Sequence, residues 1–167
     1  LAQGRYSSVE AAIQALPVEV VTQIPWLSFW LGIARLPMSP PRARVSLERA
    51  FDGFVEGGDR IGGLTACAAI LESVMLQWGD LHPADRWGFA MAQQLSEGGD
   101  LPLEVEVRAL ASTSVLMLRG PLHRETTELA LYRVQRCMPL VEQPAQRLAL
   151  AGFAALLHLF IGEWAMA

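Results

Sequence analysis

The sequence has no lysine: all 13 of its basic residues are arginine, set against 17 acidic residues for a net charge of −4. Phosphate-backbone binding needs a clustered basic surface, and scattered arginines on a mildly acidic chain do not supply one. Direct nucleic-acid contact is therefore not expected. Only two cysteines occur, Cys67 and Cys137, and they are too far apart for any CxxC or zinc pattern. Both stand in apolar helical stretches, where a free cysteine acts as a small buried hydrophobe. This fits a reducing, cytoplasmic compartment. Sustained period-2 alternation is missing, so strand signals are nearly absent. The N-terminus lacks the basic and apolar regions of a signal peptide. The longest uncharged stretch, 148–162, is shorter than the ~20 residues of a membrane span. No membrane association is expected from it.

What is present is apolar. The chain of 167 residues is 52% hydrophobic and 18% charged, which excludes disorder and is enough for a core without a disulfide or metal staple. Helical patterns recur in nearly every segment. Ser7 or Ser8 caps a first helix to Leu16, and Pro17 opens a short one over 18–23. Pro25 opens the next, to Leu36, and Ser39-Pro40 opens a helix to Glu56. Gly57-Gly58-Asp59 stops that helix and caps one over 60–78, with Ile61, Leu64, Ala68, Leu71, Met75 and Trp78 inward. Helices over 83–96, 102–119, 124–138 and 144–161 follow, and 163–167 reads as the start of another. Leu118 is expected inward on the second of these five segments. Connections of about two to seven residues make sequential helices antiparallel neighbours.

A long period underlies the pattern. Gly32, Gly79, Gly120 and Gly162 each follow an apolar-rich helical turn, 47, 41 and 42 residues apart. A helix pair recurring every ~40 residues is the period of an α-solenoid. The expected fold is all-α, an α-solenoid of antiparallel helix hairpins in one domain, 1–167, with hairpins at about 26–56, 60–96, 102–138 and 144–167. The stretch LALAGFAALLHLFIG is apolar on nearly every face and must be covered on all sides. With no polar capping repeat after it, the chain reads as a fragment of a larger protein that would self-associate through its last helix.

The stretches GRYSSVEAAIQALPVEVVTQIPWLSFWLGIA and PPRARVSLERAFDGFVEGGDRIGGLTACAAILESVMLQWGDLHPADRW resemble the helical-repeat region of large MalT-like, LuxR-type bacterial transcriptional regulators. The shared features are ALP before a short helix and PW, then W-x-G-x-A. A-R-x-x-L-E-R-A-x-x-x-F with GD-x-x-G follows, then W-x-D-x-x-P-x-D-x-W. The resemblance covers about 4–96 clearly. It implies a tetratricopeptide-repeat-like (TPR-like) arm between an ATP-binding switch domain and a helix-turn-helix. Its partners would be a protein, the other domains of the parent regulator, or a small-molecule inducer. These repeats are longer and less regular than the strict 34-residue pattern.

Catalytic chemistry is thin. Neither a GxxxxGK[ST] phosphate loop nor an HExxH pattern occurs, and no cofactor is implied. His82, His123 and His158 occur once each and far apart, so metal ligation is not expected; His158 reads as a core histidine. Glu104 and Glu106, two residues apart, read as first-turn acids favourable to the helix dipole. Trp26, Trp30, Trp78 and Trp87 read as core. Glu72, in the apolar run ILESVML, is the odd residue. A buried carboxylate needs a partner or a groove. Thr65 lies on the same face of its helix, Arg35 on the preceding inner helix, and Arg108 and Arg119 on the following one. These five residues define the candidate ligand or partner groove, with an arginine-paired, purely structural Glu72 as the competing reading. An inducer sensor and an all-α enzyme stand as the functional alternatives to an interaction module.

Overall fold

A computed structural model describes residues 5–96, 100–120 and 124–162. It is all-α; among the described residues there is no strand. The chain forms two compact units, Leu1–Gly98 and Gly99–Ala167. The sequence reading treats it as one domain; the division falls at Gly98-Gly99, between the second and third expected hairpins.

The first unit holds α1 (Tyr6–Gln14), α2 (Val18–Gln23), α3 (Pro25–Arg35), α4 (Pro40–Glu56), α5 (Arg60–Gln77) and α6 (Pro83–Ser96). Proline sets the starts of α3, α4 and α6, as expected of a residue whose φ is already helical and whose missing N–H is not needed there. Asp59 caps α5, its Oδ1 accepting from the Gly62 N–H at 2.8 Å. The serine cap expected for α1 does not form. That helix begins at Tyr6 after Arg5, because the Arg5 carbonyl already accepts from Val9 N–H at 3.1 Å. Both serines lie inside the first turn.

Packing follows chain order: α3 lies on α4, α4 on α5 and α5 on α6, while α1 and α2 fold back on α3. Two glycines allow the close approaches. A Cβ on Gly32 would stand 2.5 Å from Leu47 Cγ, and one on Gly62 would collide with the Phe54 ring. α5 is the centre, with Leu64, Ala66, Cys67, Ala68, Ala69, Ile70, Leu71 and Val74 buried. Its two ends depart from the expected inward register. Ile61 is exposed, and Trp78 is 82% exposed and left-handed at φ 48°. The helix ends one residue earlier than the glycine signal implies, so the positive φ falls on Trp78 instead of Gly79.

The second unit holds α7 (Leu103–Ser112), α8 (Ser114–Met117), α9 (Arg124–Cys137), a 3₁₀ turn (Met138–Leu140) and α10 (Pro144–Ile161). The single helix expected over 102–119 is broken at Thr113. Ser112 Oγ donates to the Ala109 carbonyl at 2.8 Å and Thr113 Oγ1 to that of Leu110 at 2.6 Å. Two adjacent hydroxyls taking i−3 carbonyls pull the ladder into a tighter turn. Leu118, expected inward, is exposed past this break.

Leu150, Phe153 and Leu157 of α10 pack with Val107, Leu110, Met117, Val134, Cys137 and Val141. The opposite side of α10 is open, with Leu148 75% exposed and Leu159 and Phe160 also exposed. The cover expected around this helix is therefore on one side only. Among the described residues α10 is the one helix long and apolar enough to cross a membrane by length and composition. The expected start of a further helix at 163–167 lies outside the described residues.

Three of the four periodic glycines show that they do different jobs. Gly32 is an interior contact, Gly79 follows the left-handed residue, and Gly162 is itself the left-handed cap at φ 87°. The spacing is real in the sequence, but these glycines are not equivalent positions of one repeated unit.

Candidate functional site

The candidate groove residues divide between the units. In the first, Arg35 sits at the end of α3, with Nε donating to Glu10 Oε1 at 2.8 Å and Nη1 to Ser46 Oγ at 3.1 Å. It thus fastens α1 and α4 to α3. Thr65 Oγ1 donates to the carbonyl of Ile61, one turn back on α5, at 2.7 Å. Glu72 of α5 is half-buried and engaged with neighbouring groups. In the second unit, Arg108 is half-buried on α7 and Arg119 is exposed just past α8; both are engaged.

Sequence reasoning missed the strongest polar cluster. Glu106, only 3% exposed, is not a solvated first-turn acid. Its carboxylate accepts from Arg136 Nη2 at 2.9 and 2.8 Å and stands 3.5 Å from Arg133 Nη1. The signal was available in two parts. Glu106 precedes Val107 in an apolar stripe, and Arg133 and Arg136 are three apart, hence on one face of α9. Glu104, two residues away, is exposed.

Arginine plays a similar part elsewhere. Arg44 of α4 reaches Ser73 Oγ at 3.1 Å and Gln77 Oε1 at 2.6 Å on α5. Arg60 of α5 donates Nε and Nη2 to the Gln94 carbonyl of α6 at 3.0 and 2.9 Å. A planar five-donor fork suits such two-point contacts better than an ammonium does.

The cysteines offer no activated nucleophile. Burial pushes the Cys67 thiol up to about 12, and its Sγ donates to the Trp87 carbonyl at 3.2 Å. The Cys137 thiol is also raised, first by burial and then by the Glu106 carboxylate beside it. A nucleophilic thiol needs the opposite shift. His82 is exposed and its Nδ1 lies 2.6 Å from Asp80 Oδ1, which also accepts from the His82 N–H at 2.9 Å. Asp80 therefore closes the turn between α5 and α6. His158 is buried and engaged on α10; His123 lies outside the described residues. Among the described residues no three His, Cys, Asp or Glu side chains gather as a metal site would require.

Of the tryptophans read as core, Trp87 alone is buried, edge-on to Phe51 with ring centroids 5.0 Å apart. Trp26 meets Phe54 at 4.8 Å and Trp30 meets Phe29 at 5.2 Å, yet both keep one side in solvent, and Trp78 is almost free of cover. These rings, with Phe89 at 74% exposure, are among the apolar groups the first unit exposes. By architecture the chain is all-α. Compared with protein-family models, curated proteins and solved structures, it matches none.

Proposed function

We propose that this chain is a non-catalytic helical-repeat module, an α-solenoid of TPR-like hairpins. It receives a protein partner or a signal within a cytoplasmic bacterial transcriptional regulator of the MalT-like, LuxR type. The observation that carries the reading is the serial packing of α3 through α6, each helix against its neighbours in the sequence. A stack of that kind grows by adding hairpins and leaves helix ends and outer rings for recognition. Exposed Trp30, Trp78 and Phe89 support it, since large rings dominate binding energy at protein interfaces.

The test uses the whole regulator in a reporter strain. W78A and F89A should each weaken the induced response by about tenfold, the loss of one aromatic anchor, with DNA binding unchanged. An unchanged response overturns the interaction reading. A parent polypeptide without an ATP-binding switch domain and a helix-turn-helix overturns the regulator reading. The inducer-sensor alternative draws on Glu72 and Thr65, both half-buried on the same face of α5. Thermal stabilisation by a small inducer, lost in E72Q and T65A, would move the function to that site.

A further inference from the structure

We infer that α1 and α2 form a lid on α3 that opens as one unit, uncovering the face of α3 beneath it while α3 to α6 stay folded. Little holds the pair in place. α1 buries only Ile13 and α2 only Val21. These two side chains join Leu31 of α3 in a small apolar cluster, with Val9 and Leu27 packed against it. α3 is the helix on which both pack. Two polar fasteners complete the join. Arg35 Nε donates to Glu10 Oε1 at 2.8 Å, and Ser28 Oγ donates to the Val21 carbonyl at 3.0 Å. The opposite end of the helix order is built differently. α6 buries Ala84, Trp87 and Met91, and its Gln94 carbonyl takes two nitrogens of Arg60. Lying at an end of the order does not by itself make a lid.

Departure of the pair leaves the rest of the unit intact. α3 keeps its close approach to α4, where Gly32 lies against Leu47. Arg35 keeps Ser46 through Nη1, and its Nε turns to water. Ser28 can turn to the carbonyl one turn back along its own helix, as helical serines do. The opened state therefore strands no buried polar group, which is the usual penalty for breaking such a join.

The two helices leave together. They have nine and six residues, and an isolated helix shorter than ~12–15 residues is marginal in water. Ile13 and Val21 share one cluster, so losing either uncovers the other. Opening is thus a cooperative local unfolding and not a gradual fraying from the chain end. It uncovers Leu27, Leu31 and Arg35, which follow at four-residue steps along one face of α3. The closed lid sets Ile13 in the aliphatic cluster and Glu10 on the cation. The chain's own first helices are the occupant of this face, and the contact is autoinhibitory. The inference stands apart from the regulator reading, because the lid opens whatever partner the unit receives.

The test is native-state hydrogen exchange of the full chain, with thiol labelling as a second readout. Amides of α1 and α2 should share one opening equilibrium, about a hundredfold or more above that of α4 and α5. E10A should raise exchange in both α1 and α2 by about fivefold, although α2 does not contain the substituted residue, and leave α4 and α5 unchanged. I13A should raise both by roughly thirtyfold. In L31C the new thiol should react with Ellman's reagent only through the opening, and adding E10A should speed it by the same factor. The buried Cys67 and Cys137 of the wild type set the background. Exchange of α1 and α2 at the rate of α5 overturns the lid, as does an E10A effect spread equally over every helix. An E10A effect confined to α1 means end fraying and overturns it too. L31C labelling that E10A does not move overturns the uncovering of the α3 face.

Discussion

The two units solve the problem of joining helices in different ways. In the first, close approach does most of the work: Gly32 admits Leu47, Gly62 admits Phe54, and α5 buries a run of alanines. Its arginines are fasteners laid over contacts already made, and their carbonyl, amide and hydroxyl partners are largely neutral. In the second unit a buried carboxylate is part of the join, since Glu106 of α7 holds two arginines of α9. Steric fit tolerates no added atom, whereas a carboxylate join tolerates added atoms but not a lost charge. The contrast also gives the missing lysine a structural sense. At Arg35, Arg44 and Arg60 the cation uses two nitrogens of the guanidinium at once.

The largest effect should come from steric insertion in the first unit. G62V should destabilise it by about 3 kcal/mol in urea unfolding, because the added Cβ meets a Phe54 ring that is itself buried. An unchanged midpoint would break the claim that fit governs this unit. In the second unit E106Q should cost about 2 kcal/mol. That is less than a fully buried pair would lose, because Arg133 and Arg136 can rehydrate once released. If G62V and E106Q cost the same, the two units are not joined differently.

At neutral pH a further contribution is silent and shows only as a slope on raising the pH. The unfolded Cys67 thiol ionises from its usual value of 9.0, while the folded one holds its proton to about 12. Above pH 9 the unfolded chain binds fewer protons, so the contribution is complete below pH 9. It is lost between pH 9 and 12 at about 1.4 kcal/mol per pH unit. The stability of C67A, measured over the same range, should lack that slope. The smallest effect concerns Trp78, whose left-handed backbone carries strain and whose ring packs on little. W78G should stabilise the first unit by roughly 1 kcal/mol. A loss of stability there would show that the ring is held by contacts after all.

Much of the helical layout is legible in the sequence for a physical reason. Proline at N1 is a local steric signal, so α3, α4, α6 and α10 begin where their prolines stand. The α7–α8 break is not legible from apolar spacing, because the hydroxyls of Ser112 and Thr113 compete for carbonyls only once the turn is formed. The candidate site was less legible than the fold. Arg35 reads as a groove residue from its helix position, but its guanidinium is taken by Glu10, 25 residues upstream, and by Ser46. Glu106 reads as a surface acid because a helix-dipole argument uses one helix, whereas its partners come from another. Trp78 shows the same limit: a ring in register with an apolar stripe is inward only if the helix reaches it, and α5 stops at Gln77.

Native-state hydrogen exchange across the first unit is the most direct test of serial helix packing. The account predicts the slowest amides in α4 and α5, each covered by a helix on both sides, with faster exchange in α1, α2 and α6 at the ends of the order. Protection in α1 or α6 equal to that of α5 would contradict it.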